Sequence, residues 1–224
     1  MDRLAALEAV VQPGDCFWDI GAHKGFMTLA AAGLVGPSGS VVSLEPSERN
    51  LWFIRQHLSW NPAEQVRVIA GAVSDRMGES RFGGRGDSLA YSIGRGSETV
   101  AVRSVSDIVR DFGVCPPTVM KIDAEGEEAA VLRGAGALLG RELALLISVH
   151  SRTLHEECTA LLAAREFRLF ESFEMARCSA DPTRAWVSDH DLLAVGPDRM
   201  IDEGKVRTLA LIRGNEHAKA GNPP

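Results

Sequence analysis

A chain of 224 residues, 45% hydrophobic and 24% charged, has the length and apolar content of one globular domain and is too apolar to be disordered. Its 24 basic and 30 acidic residues leave a net charge of −6, the wrong sign for general nucleic-acid binding, and 6% aromatics offer little for base stacking. The four cysteines (Cys16, Cys115, Cys158, Cys178) form no C-x-x-C pair, which excludes zinc-ribbon and redox-dithiol motifs and makes a reducing cytoplasm the simpler expectation.

The opening segment, MDRLAALEAV, has no continuous apolar stretch and does not read as a signal peptide. Next, VVQPGDCFWDIG rises through a Pro-Gly turn into a short buried strand over Cys16–Ile20. The Ala/Leu-rich GFMTLAAAGLVG predicts a helix ended by Gly36-Pro37. VVSLEP is a second strand, and Ser47 caps a helix that runs to Trp60 and stops at Asn61-Pro62. VRVIAGAVSD reads as one strand. Two β-like pieces, Glu79–Phe82 and Glu98–Arg103, then bracket a Gly-rich stretch from Gly83 to Gly96. TVMKIDA is a strand, Glu125–Leu139 a helix, LALLISVHS a strand, and about Leu154–Ala164 a helix. The longest strongly apolar run, Leu143–Val149, is strand-sized and too short to span a bilayer. Two β-rich pieces, Phe167–Phe173 and Trp186–Val195, finish the pattern.

This alternation predicts a doubly wound α/β domain: a mostly parallel seven-stranded sheet covered on both faces, with one antiparallel strand at its C-terminal edge. Residues 1–197 form that single domain, with the Gly-rich stretch at about 83–96 as an insertion. Residues 198–224 form an extension whose end, RGNEHAKAGNPP, is expected to be a loose tail.

Ligands of open α/β sheets sit beyond the carboxyl ends of the strands, and three such ends are informative. Asp19-Ile-Gly21-Ala-His23-Lys24-Gly25 carries two glycines four apart, which permit a tight turn and close approach of backbone to ligand. Glu45-Pro46 ends the second strand 24 residues after Gly21, where a carboxylate can accept hydrogen bonds from both hydroxyls of a ribose. Val73-Ser74-Asp75 ends the third, where backbone groups can border an adenine. The loop lacks the central glycine of a dinucleotide fingerprint and the G-K-[ST] of a P-loop, so it is not built for phosphates. Asp19 beside it favours a cationic ligand, and S-adenosylmethionine, a nucleoside with a sulfonium and an amino group, meets these conditions. Singly, the glycines fit close strand–helix packing and Glu45 a solvated strand end; their conjunction at the proper ends carries the reading.

DIGAHKGFMTL, VVSLEP, AVSDRMGESRF, VMKIDAEGEEAAVLRGA and LISVH follow one another from about Val11 to Ser151. In that order and spacing they resemble the FkbM family of S-adenosylmethionine-dependent methyltransferases, KIDAEG with VLRGA being the most distinctive piece. The resemblance implies a Rossmann-like class I methyltransferase fold. It implies S-adenosylmethionine as cofactor, held by Asp19, Gly21, Gly25 and Glu45, and His23, Thr28, Pro46, Val73, Ser74, Asp75 and Asp123 are further expected to bind it. Relatives in the wider superfamily carry an acid near position 72, where this chain has Ala72, so adenine contact falls to the Val73 backbone, Ser74 or Asp75. It further implies O-methylation of a small hydroxyl or carboxylate acceptor, such as a natural product or sugar. Composition and the cysteines add the expectation of a cytoplasmic protein without nucleic-acid or membrane partners, and the chain is expected to be a monomer or homodimer.

Methyl transfer to an alcohol needs alignment and a base; transfer to a carboxylate needs alignment alone. Lys121, Asp123 and His150, at the ends of the fourth and fifth strands, are the catalytic candidates. Lys121 is either catalytic or a strand-edge cation paired with a carboxylate. An unperturbed His150, titrating near ~6.5, suits a base at neutral pH. Glu125 is a further candidate base, or else a first-turn helix acid favoured by the macrodipole. No metal is favoured, although Asp123, Glu125 and His150 together offer ligands for Mg²⁺. Arg85, Asp87, Ser88, Tyr91 and Arg95 of the Gly-rich stretch are acceptor contacts or a solvated loop. Two other functions remain open: a nicotinamide oxidoreductase, which the G-x-x-x-G loop and the lack of a Tyr-x-x-x-Lys pair argue against, and a non-catalytic cofactor-binding relative.

Overall fold

The computed structural model describes residues 3–83, 92–172, 178, 181, 183, 186, 190–208 and 211–213. In chain order the elements begin α1 (Arg3–Val10), β1 (Cys16–Ile20), α2 (Phe26–Val35), β2 (Ser40–Glu45), α3 (Glu48–Trp60) and β3 (Val66–Ala70). Then come β4 (Ala72–Val73), β5 (Gly78–Gly83), β6 (Ser92–Ile93), β7 (Glu98–Arg103), α4 (Val105–Phe112), β8 (Val119–Ile122) and α5 (Glu128–Ala135). The chain continues with β9 (Ala144–Val149), α6 (Arg152–Ala163), β10 (Arg168–Ser172), β11 (His190–Val195), α7 (Glu203–Thr208) and β12 (Leu211–Arg213).

The main sheet has the order β12-β10-β11-β9-β8-β1-β2-β3. The five strands from β9 to β3 are parallel, and β11 runs antiparallel between β9 and β10. Its central strands are apolar on both sides because both faces are covered. Trp18, Ile20, Met120, Leu145 and Ile147 meet α4, α5 and α6 on one face. Phe17, Val41, Val119 and Leu146 meet α1, α2 and α7 on the other.

Four details depart from the sequence reading. VRVIAGAVSD breaks at Gly71, whose φ of 143° and tight approach to the Ala101 carbonyl suit glycine alone. The chain beyond it, β4, leaves the main sheet and joins a four-stranded sheet, β4-β7-β5-β6. The helix expected from Glu125 starts at Glu128, because Glu125 and Gly126 both take positive φ, 47° and 108°. Ahead of its expected loose end the extension is structured. Buried Val206 of α7 packs in the face built on α1 and α2, and β12 pairs with β10 as an eighth strand. Arg199 fastens the extension's start to Asp15 and to the Val10 carbonyl. Residues 214–224, which include most of RGNEHAKAGNPP, lie outside the described residues. Finally, Cys16 and Cys115 are joined by a disulfide, which removes the ground for expecting a reducing compartment; Cys158 and Cys178 are both buried. No described helix is long and apolar enough to cross a membrane.

Candidate active site

A cavity of about 310 Å³ extends across the carboxyl ends of β2, β1 and β8 and reaches the small sheet. Its wall changes character along its length. Ala72, Val73, Phe82 and Ile93 make one end apolar, Glu45 and Pro46 stand in the middle, and Lys121, Asp123, Glu125 and Arg3 border the other end.

Glu45 is only 4% exposed. Its Oε2 accepts from the His23 backbone N–H at 2.7 Å, and its Oε1 from the Ser47 N–H at 2.9 Å and Asn50 Nδ2 at 3.1 Å. Burial pushes its carboxyl above the usual carboxylate range, against the pull of those donors and of the Lys121 charge. The Ser47 side chain makes no cap hydrogen bond; its backbone serves Glu45 instead. Gly21, with φ 73°, could carry no side chain, since a Cβ would overlap the Asp123 carbonyl oxygen. That close approach joins the β1 and β8 ends and forms the cavity floor. Burial and the Lys24 and Lys121 charges lower the pKa of the His23 imidazole, despite Asp123.

Asp19 does not reach the cavity. It is fully buried, accepting from the Thr28 hydroxyl at 2.7 Å and lying 3.4 Å from the Lys121 ammonium. Thr28 is equally buried, so both support the loop from beneath. Lys121 donates to the Gly21 carbonyl at 2.6 Å and lies 3.6 Å from Asp123. This is the paired-cation alternative for Lys121, and it ties the loop, Asp19 and Asp123 together. Gly25, Ser74 and Asp75 also lie off the cavity wall. Gly25 packs on Ile54, Ser74 donates to Glu127, and Asp75 pairs with Arg133. Gly21, His23, Glu45, Pro46, Val73 and Asp123 do border the cavity. Arg85, Asp87, Ser88 and Tyr91 lie outside the described residues, and Arg95 is exposed.

His150 stands behind the cavity wall. Its Nε2 is 3.6 Å from Asp123 and 3.4 Å from Glu125, while its Nδ1 meets Glu128 at 2.9 Å. Glu128, which sequence reasoning missed, is completely buried. Burial lowers the His150 pKa, but the Glu128 hydrogen bond and charge, with Glu125 and Asp123, more than offset it and raise the value to about 9. His150 is therefore an imidazolium at neutral pH, not the ready base expected from an unperturbed value. Its proton already serves the carboxylates that a divalent cation would need at Asp123, Glu125 and His150.

A raised histidine pKa stabilises the fold fully below the ordinary value of 6.5, and that gain is lost as pH rises through about 9. The shift is worth roughly 2 kcal/mol once solvent screening is discounted. His150→Gln should lose about that much stability below pH 6.5 and converge with wild type above pH 9. Urea titrations across this window that keep a constant gap between the two proteins would refute the assignment.

The FkbM methyltransferase domain family matches residues 19–169. No curated protein matches the chain. The solved structure of methyltransferase FkbM from Methylobacillus flagellatus is 19% identical with a TM-score of 0.58, over 83% of this chain and 48% of that one. The chain thus spans about half the length of that relative. Aeropyrum pernix fibrillarin, solved with natively bound S-adenosyl-L-methionine, is 14% identical at TM-score 0.51, over 86% of this chain and 73% of that one. An rRNA methylase from Streptococcus thermophilus is also 14% identical at TM-score 0.51, over 87% of this chain and 92% of that one. At such identities the likeness shows the fold, a class I methyltransferase α/β sheet, and it leaves the acceptor open. The family match covers the Gly21 loop, Glu45 and the β8 end together, and on it the chain belongs to the FkbM family of S-adenosylmethionine-dependent methyltransferases.

Proposed function

We propose that this chain binds S-adenosylmethionine in the cavity and methylates oxygen on a small acceptor. One observation carries the reading: a single cavity passes from an apolar end, across a buried carboxylate at the β2 terminus, to an ionic end at β8. The residues fit the cofactor in that order. Apolar walls at Val73 and Phe82 suit an adenine, and Glu45, of whose roughly four acceptor sites three serve internal donors, keeps one on Oε2 for a ribose hydroxyl. When bound, S-adenosylmethionine supplies a methyl group already activated on a sulfonium. The protein's work is then alignment and, for a hydroxyl acceptor, proton removal. Asp123 borders the cavity and is the group placed to take that proton, while Lys121 and His150 orient it. A carboxylate acceptor would need no base.

A small-molecule acceptor is preferred on charge. The chain is net negative, which opposes a phosphate backbone. The test is calorimetry with S-adenosylhomocysteine and NAD, followed by methyl-labelled S-adenosylmethionine offered with phenols, alcohols, carboxylic acids and rRNA, with and without chelator. Binding of NAD alone would favour the oxidoreductase, and binding without product the non-catalytic relative. With a hydroxyl acceptor, Asp123→Asn should lower kcat about 10²-fold or more while S-adenosylhomocysteine affinity changes far less. Near-normal turnover would remove Asp123 as the base.

A further inference from the structure

We infer that Arg3, from the helix that precedes the family-matched residues, binds the carboxylate at the amino-acid end of the cofactor. The inference rests on the cofactor reading above and deepens it. With the adenine against the apolar wall and the ribose at Glu45, the zwitterionic end falls toward Gly21, Asp123 and Arg3. Asp19, the charged group expected to read that end, is buried beneath the loop and absent from the wall.

Among the described residues, three cations border the cavity: Lys24, Lys121 and Arg3. Lys121 is 6% exposed and turned inward to the Gly21 carbonyl, Asp19 and Asp123. The Lys24 ammonium lies over the Phe53 ring at 5.4 Å, on the α3 side. Arg3 differs from Lys121 in having its side chain 36% exposed, and from Lys24 in sitting beside Asp123. A guanidinium presents five N–H donors in one plane, a match for the two oxygens of a carboxylate.

The guanidinium is also positioned in advance. Nε donates to Asp191 at 2.9 Å and Nη1 to Asp123 at 3.3 Å. Asp191 is itself buried and accepts from the Ser148 hydroxyl at 3.2 Å, so it is a fixed anchor. Helix α1 is held by Ala6, Leu7 and Val10, all fully buried. Such preorganisation reduces the entropy lost when a ligand is bound. Both Arg3 and Asp191 lie outside residues 19–169, so this contact is an addition by the flanks of this chain.

The test compares S-adenosylhomocysteine with 5′-methylthioadenosine, which keeps the adenosine thioether but lacks the amino-acid end. Arg3→Ala should weaken S-adenosylhomocysteine about 10-fold or more, the scale of a charge-assisted hydrogen bond. Methylthioadenosine affinity should stay within about twofold, and Arg3→Lys should recover part of the loss. Equal losses for both ligands would show a merely structural role, and an unchanged S-adenosylhomocysteine affinity would show no contact; either overturns this inference alone. Wild-type protein that binds neither ligand overturns the cofactor reading and this inference with it.

Discussion

Lys121→Met should destabilise the fold by about 3–5 kcal/mol, the scale of stranding one partner of a buried ion pair. Methionine matches the length of the stem and fits the apolar surroundings, so the loss reports charge rather than volume. Asp19 would then be fully buried with only the Thr28 hydroxyl on Oδ2, and its Oδ1, which accepts no hydrogen bond, would lose the ammonium 3.4 Å away. The Gly21 carbonyl would lose its donor at 2.6 Å, so the loop should loosen and cofactor affinity fall with it. The pairing has a second signature. Asp19→Asn added to Lys121→Met should recover much of the stability, because the stranded charge is gone and the two sites are coupled. Urea unfolding measures both. A single-variant loss below about 1 kcal/mol, or strict additivity in the double variant, would mean that the pair is not what holds the loop.

The centre of the sheet was legible because its strands are short, apolar on both faces and ended by glycine or acid, and the ends of β1, β2 and β8 bear the cavity. Glu45 was legible for the same reason. Asp19 was not, since no local pattern says whether a strand-end acid meets ligand or a lysine on the neighbouring strand; the β1–β8 register decides it by setting Asp19 opposite Lys121. The His150 charge was hidden likewise, because it depends on Glu128, 22 residues away and buried at the start of α5. Arg3 and Asp191, 188 residues apart, meet only in the folded chain. The disulfide closes across 99 residues. Helix α4 was a readable omission: Ser104 and Asp107 form a capping box, a local signal that the strand-centred reading passed over. Strands β4 and β6, two residues each, are too short for any periodicity to show.

Glu45→Ala should weaken S-adenosylhomocysteine binding by about 1.5–3 kcal/mol, the range for hydrogen bonds to a charged acceptor. The loss should exceed that of a simple ribose contact, because Glu45 also gathers the His23 and Ser47 N–H groups and Asn50, which shape the cavity wall. Glu45→Gln separates the two parts: it preserves size but turns one acceptor oxygen into a donor that faces donors. The pH dependence has a definite sign. Burial raises the Glu45 pKa, so on acidification the carboxylate is lost at a higher pH than an ordinary glutamate would be, and affinity should fall with it. The same shift means that stability present below the ordinary glutamate pKa is lost as pH rises through the raised value. The charged carboxylate is thus less favourable in the folded chain than in the unfolded one. Calorimetry from neutral to mildly acidic pH should show wild-type affinity declining and the Glu45→Gln profile nearly flat. Wild-type affinity in both variants, with no acid dependence, would place the ribose somewhere other than the end of β2.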